Sequence, residues 1–183
     1  MGPLEVIWGV LIVVFAVVGV VRGYPKELGV TTTILAALLL LTKGGDSVLR
    51  VLDAYMARYA ESSVVFEGQY AALIQSLFYI LVLVAVVVVS YHGETLAFTG
   101  EPPRGPVGIA LNLLSGLLNG YLIAGTIWYY LDVFNYPIQI LGLFRPPLTD
   151  FAQNYLIPVL PVTLLEPYLL FLVPFMIVMR VVR

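Results

Sequence analysis

Cysteine is absent from this chain of 183 residues, and His92 is its single histidine. Without cysteine there is no disulfide and no thiolate chemistry. One histidine and no cysteine cannot build a metal cluster of familiar spacing. Charge is scarce too: Asp, Glu, Lys and Arg make up 11% of the chain, against 61% hydrophobic residues. A soluble domain carries about 25% charged and roughly 45–50% apolar residues. With a mean hydropathy of +1.00, the solvent for most of this chain is lipid. The net charge of −2 excludes a nucleic-acid binder of the basic-patch kind. No Gly-rich phosphate loop, nucleophile elbow or HExxH motif is present. These absences predict a protein that is not an enzyme and holds no cofactor or metal.

What is present is a series of apolar runs, read as one transmembrane domain over 1–183. The expected fold class is an all-α integral membrane protein with four to five transmembrane helices and one interfacial amphipathic helix. The first span covers about 4–21, with Glu5 at its start and Arg22 at its end. A secretory signal would begin with basic residues and end in a small-x-small cleavage site, so this is a retained helix. The second span covers about 28–42. Between them, Gly23 and Pro25 predict a sharp turn and an antiparallel hairpin. Thr31, Thr32 and Thr33 can bond back to the preceding helical turn, so they need not mark a site.

Lys43-Gly44-Gly45 is expected to end the second span, with Asp46 or Ser47 capping a new helix. Over about 47–62, Val48, Leu49, Leu52, Tyr55, Met56 and Tyr59 share one face. Arg50, Asp53, Arg58 and Glu61 share the other. That pattern predicts an amphipathic helix lying in the membrane interface. The third span covers about 69–91 and the fourth about 106–131; each runs uncharged for long enough to cross a bilayer. The run at 164–182 is apolar except for Glu166 and Arg180, but prolines interrupt it. It either crosses a fifth time or lies as a re-entrant or interfacial helix. For five spans, Arg22, Lys26, Arg104, Arg180 and Arg183 fall on one side, and Lys43, Arg50, Arg58 and Arg145 on the other. The tight first turn, with two basic residues, is placed in the cytoplasm.

The fourth span carries the most distinctive pattern. Gly108, Asn112, Gly116 and Gly120 stand four apart on one helical face, with Ser115 and Asn119 beside them. Gly116 and Gly120 form a GxxxG pair, which lets another helix approach closely in lipid. Asn112, Ser115 and Asn119 read either as helix–helix glue or as a polar lining for a solute path. Gln75 and Ser76 are candidate partners for them. Glu5, Asp132 and Glu166 lie near span ends, whereas ion-coupled transporters bury an ionisable group within the spans. Arg22 and Glu27 can pair across the first turn, and an exposed pair there would be worth little.

The turn Arg22-Gly23-Tyr24-x-Lys26-Glu27, directly after a first apolar helix, resembles the pattern of the colicin V production protein (CvpA) family. The stretch from Gly116 through Asn119-Gly120 is similar to that family's fourth span, with Asn119 where the family often has arginine. Tyr155-Leu156-Ile157-Pro158 sits where the family often has a short hydrophobic segment with a proline. The resemblance implies a multi-pass protein of the bacterial cytoplasmic (inner) membrane, connected with colicin export or production. Two functions are expected from these readings. One is a structural or accessory subunit that associates, with itself or with other membrane subunits, through the small-residue face. The other is a small channel or export-related transporter.

Overall fold

The computed structural model describes residues 3–58, 65–67, 70–93, 98, 105–141 and 148–181. Six α-helices organise them: α1 (Pro3–Arg22), α2 (Tyr24–Met56), α3 (Ala71–His92), α4 (Pro106–Val133), α5 (Pro161–Leu165) and α6 (Leu169–Val181). No strand occurs among the described residues. Five stretches are long and apolar enough to cross a membrane, the fifth being the continuous run Pro161–Val181. The chain is an all-α, multi-pass membrane protein. The last run is a helix interrupted by a 3-10 turn at Glu166–Tyr168. Its N-terminal proline, Pro161, opens α5, where a missing N–H costs nothing.

A single residue separates α1 from α2. Gly23 adopts φ +88, a conformation that a residue with a Cβ avoids, and Pro25 follows in the first turn of α2. The expected hairpin is therefore present, but α2 starts at Tyr24, four residues before the expected second span. That shift moves Glu27 from a loop into a helix.

The second difference lies at the other end of α2. The expected stop at Lys43-Gly44-Gly45 does not occur, and the helix continues for 33 residues to Met56. The described part of the expected amphipathic helix is thus an extension of α2; residues 59–62 lie outside the described residues. Neither Gly44 nor Gly45 takes a positive φ, so nothing in their backbone breaks the helix. Gly45 is needed for space. A Cβ there would fall 2.7 Å from Tyr79 Oη and 2.8 Å from Tyr79 Cζ. Asp46 caps nothing; it accepts a 2.6 Å hydrogen bond from the Tyr79 hydroxyl. At about 1.5 Å per residue, α2 is roughly 50 Å long, well beyond a hydrocarbon layer of about 30 Å.

The helix α4 ends in a locked turn. Asn135 and Tyr136 both take positive φ, at 55° and 52°. The Tyr136 N–H donates to Leu131 O at 2.7 Å, and its hydroxyl donates to Asp132 Oδ1 at 2.7 Å. Trp128 Nε1 donates to the same hydroxyl at 3.0 Å. Burial and the Asp132 hydrogen bond push the Tyr136 hydroxyl well above its ordinary pKa. These bonds hold a non-glycine residue where it would otherwise be strained.

The core sits between α2 and α4, with α3 and α6 against them. Val30, Ile34, Leu38 and Leu41 of α2 meet Leu83 and Val87 of α3, Leu122 and Ile123 of α4, and Leu169 and Val173 of α6. In the apolar windows of α2 and α4, 56% and 44% of residues are buried, against 17–22% for the other three spans. Thus α2, rather than α4, is the central helix, and the outward faces of α1, α3 and α6 are left for lipid. Gly44 and Gly45 give a paired test. Gly45→Val is expected to lower the thermal midpoint in detergent by several degrees, because Tyr79 must move. Gly44, with nothing within 4 Å of an added Cβ, tolerates Gly44→Ala, which is expected to stabilise by about 0.5–1 kcal/mol.

Candidate functional site

Where α1 meets α2, four helices bring polar groups together inside an apolar bundle. Glu27 lies in the first turn of α2 and is fully buried, at 0% exposure. It belongs to the stripe Glu27, Thr31, Ile34, Leu38, Leu41 and Gly45, spaced four and three apart, all buried. A carboxylate in such surroundings persists only if it is paired and hydrogen-bonded. Asn119 of α4, also at 0% exposure, supplies the closest donor. Its Nδ2 donates to Glu27 Oε2 at 2.7 Å and to the Glu27 backbone carbonyl at 3.0 Å. Tyr91 of α3 donates its hydroxyl to Glu27 Oε2 at 3.0 Å.

Arg22, the last residue of α1, completes the set. Its Nη1 lies 3.5 Å from Glu27 Oε1, and its guanidinium sits 4.5 Å from the centre of the Tyr91 ring. Neither Nη1 nor Oε1 has a hydrogen-bond partner, so the attraction between them is one of charge and not of a directed hydrogen bond. The arginine side chain keeps 22% exposure while its acid has none. The pair expected to be exposed is therefore buried on one side. The correction follows from the early start of α2, which turns Glu27 towards α4.

Thr31 extends the network. Its hydroxyl oxygen lies 2.7 Å from Asn119 Oδ1 and 2.9 Å from the Glu27 carbonyl, so one proton has two acceptors within reach. Thr32 and Thr33 bond back to Leu28 and Gly29 as their positions predicted. Asn112 closes the top of the site. Its Oδ1 accepts the Tyr24 backbone N–H at 2.8 Å, which satisfies one of the donors that a helix start leaves open. Ser115 donates to Asn112 O within its own helix. Lys26 points outward and is exposed.

The glycines of α4 fix how closely α1 approaches. The helix that their face admits is α1 of the same chain, running antiparallel to α4. An added Cβ on Gly116 would lie 2.9 Å from Gly19 Cα, and one on Gly120 would lie 2.8 Å from Ile12 Cα. Gly108 is buried on the same helix. Gly19, on the α1 side, is equally tight: its added Cβ would lie 2.6 Å from Gly116 Cα. Farther along the same seam, Trp8 and Trp128 meet edge to face at 5.8 Å.

Arg22, Gly23, Tyr24, Glu27, Asn112, Ser115, Gly116, Asn119 and Gly120 thus lie along one seam between α1, α2 and α4, whereas Lys26 faces away. Gln75 and Ser76 do not join it; they bond to Val65 O and Leu73 O. His92 bonds to its own helix at Val88 O and is exposed. Tyr91, Thr31 and Gly19 were missed. Continuing the α2 stripe back from Ile34 by three and then four would have placed Thr31 and Glu27 on the buried face. No comparable signal marks Tyr91, which reads from sequence as an ordinary span-end aromatic. Among the described residues, no group of three or more His, Asp or Glu side chains is placed to hold a metal. What the arrangement does chemically is neutralise a buried charge.

The chain matches no family model, no curated protein and no solved structure. Its geometry alone therefore carries the functional argument.

Removing one member of a buried pair strands the other, at about 3–5 kcal/mol when both are fully desolvated. With Arg22 partly exposed, Arg22→Met is expected near the lower end of that range. Adding Glu27→Gln to Arg22→Met is expected to recover most of the loss. Thermal or denaturant unfolding in detergent checks this. A double variant no more stable than Arg22→Met would show that the charge is not what Arg22 serves.

Proposed function

We propose that this chain is a non-enzymatic structural or accessory subunit of a membrane assembly. We further propose that it is CvpA-like, sits in the bacterial cytoplasmic membrane, and keeps its Arg22–Glu27 turn on the cytoplasmic side. The observation that carries the reading is the use made of the polar residues of α4. Asn112, Ser115 and Asn119 all bond to backbone or to Glu27 and Thr31. Asn112 and Asn119 join helices, Ser115 bonds within its own, and none of the three is held in reserve for a passing solute. The small-residue face is likewise covered by α1. Association with other subunits, or with a second copy, therefore uses the outward faces of the bundle.

Gentle detergent extraction from native membranes, native electrophoresis and mass spectrometry of co-migrating chains test this. Reproducible, stoichiometric foreign subunits, or a defined homo-oligomer, are expected. A monomer alone under all mild conditions would overturn the reading.

One observation favours a second reading, a small channel or export-related transporter. Glu27 is an ionisable side chain wholly buried in a membrane bundle, which is where transport pathways keep such groups. That reading predicts solute flux in proteoliposomes that Asn119→Leu and Glu27→Gln both reduce. Reconstituted protein that passes no ion or small solute would remove it.

A further inference from the structure

Along the N-terminal half of α1, away from the Glu27 network, the bundle leaves a groove of about 500 Å³. Val6, Val10, Val13 and Val14 line it from α1, and Phe151 and Leu156 line it from the opposite side. Gly9 opens it: among the described residues, nothing lies within 4 Å of a Cβ added there. The opposite wall is irregular, a π-helical turn at Ala152–Leu156 followed by a 3-10 turn at Ile157–Val159. Single π turns of this kind frequently sit at functional sites. Of the lining side chains, Glu5 and Trp8 carry polar atoms. Glu5 turns its carboxylate to the Thr149 hydroxyl, and Trp8 Nε1 is sealed from solvent. What faces the groove is therefore apolar surface.

Depth and width say what fits there. At about 1.5 Å per residue, the stretch from Glu5 to Val14 covers about 13 Å. That is close to one leaflet, half of a hydrocarbon core of about 30 Å. The groove thus starts at the charged end of α1 and stops near the middle of the bilayer. A helix of that length and about 10 Å in diameter would fill roughly 1,000 Å³, twice the groove. A second copy of α1, or a partner's helix, is too wide to lie in it. The four valines hold essentially one rotamer in a helix, so that wall is rigid before anything binds and loses little freedom on binding.

We propose that this groove holds one acyl chain of a phospholipid, drawn from the leaflet around Glu5 and retained as a bound lipid. Lipid tails are as apolar as valine, so hydrophobic burial does not distinguish the groove from the bilayer. Dispersion contact with fixed walls on two sides does. Because the contact is with methylenes alone, the site selects a chain of leaflet length and is indifferent to the headgroup. The site is independent of the scaffold reading, since it uses neither the Glu27 network nor the seam between α1 and α4.

The test uses the full chain. Native mass spectrometry after mild detergent extraction is expected to show one retained phospholipid per chain. Phosphatidylcholine and phosphatidylglycerol of equal chain length are expected to be retained alike, and dihexanoyl phosphatidylcholine far less. Trp8 reports the groove directly, because it lines it while Trp128, the only other tryptophan, is buried. In bilayers, phospholipid brominated in the upper part of its chains is expected to quench Trp8 fluorescence on contact. Gly9→Leu fills the groove and meets no protein atom, so the fold is kept. It is expected to weaken retention about tenfold, the loss of roughly ten dispersion contacts, and to relieve most of the quenching. Gly44→Leu, at an equally open glycine on α2, is the control and is expected to change neither. No retained lipid, retention that follows the headgroup, or a Gly9→Leu variant that retains lipid and is quenched like the wild type overturns the proposal. So does a dimer in light scattering that Gly9→Leu dissociates, which would give the groove to a second copy.

Discussion

The carboxylate of Glu27 is the constraint on which the rest of the bundle depends. Nothing in a hydrocarbon environment solvates it, so its partners must come from protein. They come from three other helices: Arg22 from α1, Tyr91 from α3 and Asn119 from α4. Each partner fixes the rotation of the helix that carries it. Turning α4 by one residue would withdraw Asn119 and leave both a buried amide and a buried acid unpaired. An apolar core has no such discrimination, because valine and leucine faces of similar shape can substitute for one another. The ion pair need not add net stability to set the arrangement. Its role is to make the alternatives costly.

That network can form only because α1 comes very close to α4. Gly19, Gly116 and Gly120 leave no side chain in the seam. The one-residue connection at Gly23 then delivers Arg22 and Tyr24 to fixed points: one reaches Glu27 and the other reaches Asn112. The glycines therefore act as the precondition for the polar contacts, and the polar contacts hold the register that the glycines permit. In lipid, where apolar side chains gain little by leaving the solvent, close packing and interhelical hydrogen bonds are the available sources of specificity.

Much of this was legible in the sequence. Runs of uncharged residues gave the spans directly, because helix length and bilayer thickness are fixed quantities. The spacing of Gly116 and Gly120 marked a close helix approach, and the position of Asn119 marked a polar contact. The errors came from punctuation. Lys43-Gly44-Gly45 reads as a helix end in water, yet Gly45 is there to admit the Tyr79 ring. Arg22 to Glu27 reads as a solvated turn, yet Gly23 alone makes the turn and the rest is helix. In both places a residue with a tertiary reason was taken for one with a local reason. Pair identities such as Glu27–Tyr91 were illegible, since nothing in a single chain relates residues 64 positions apart.

The two ends of α2 now differ in a way that bears on function. At the Glu27 end, the carboxylate is matched by one base and by two neutral donors, one each from Asn119 and Tyr91, and it is closed to solvent. At the Asp46 end, two acids meet one lysine, an open cavity remains, and the Tyr130 hydroxyl has no partner. There, Asp46 and the Glu166 side chain are exposed, so water can supply partners for the oxygens that Tyr79 and Lys43 leave open. Buried polar groups in folded proteins are almost always satisfied, and that rule constrains the Glu27 end, where the carboxylate has no solvent, far more than the Asp46 end, where both acids reach it.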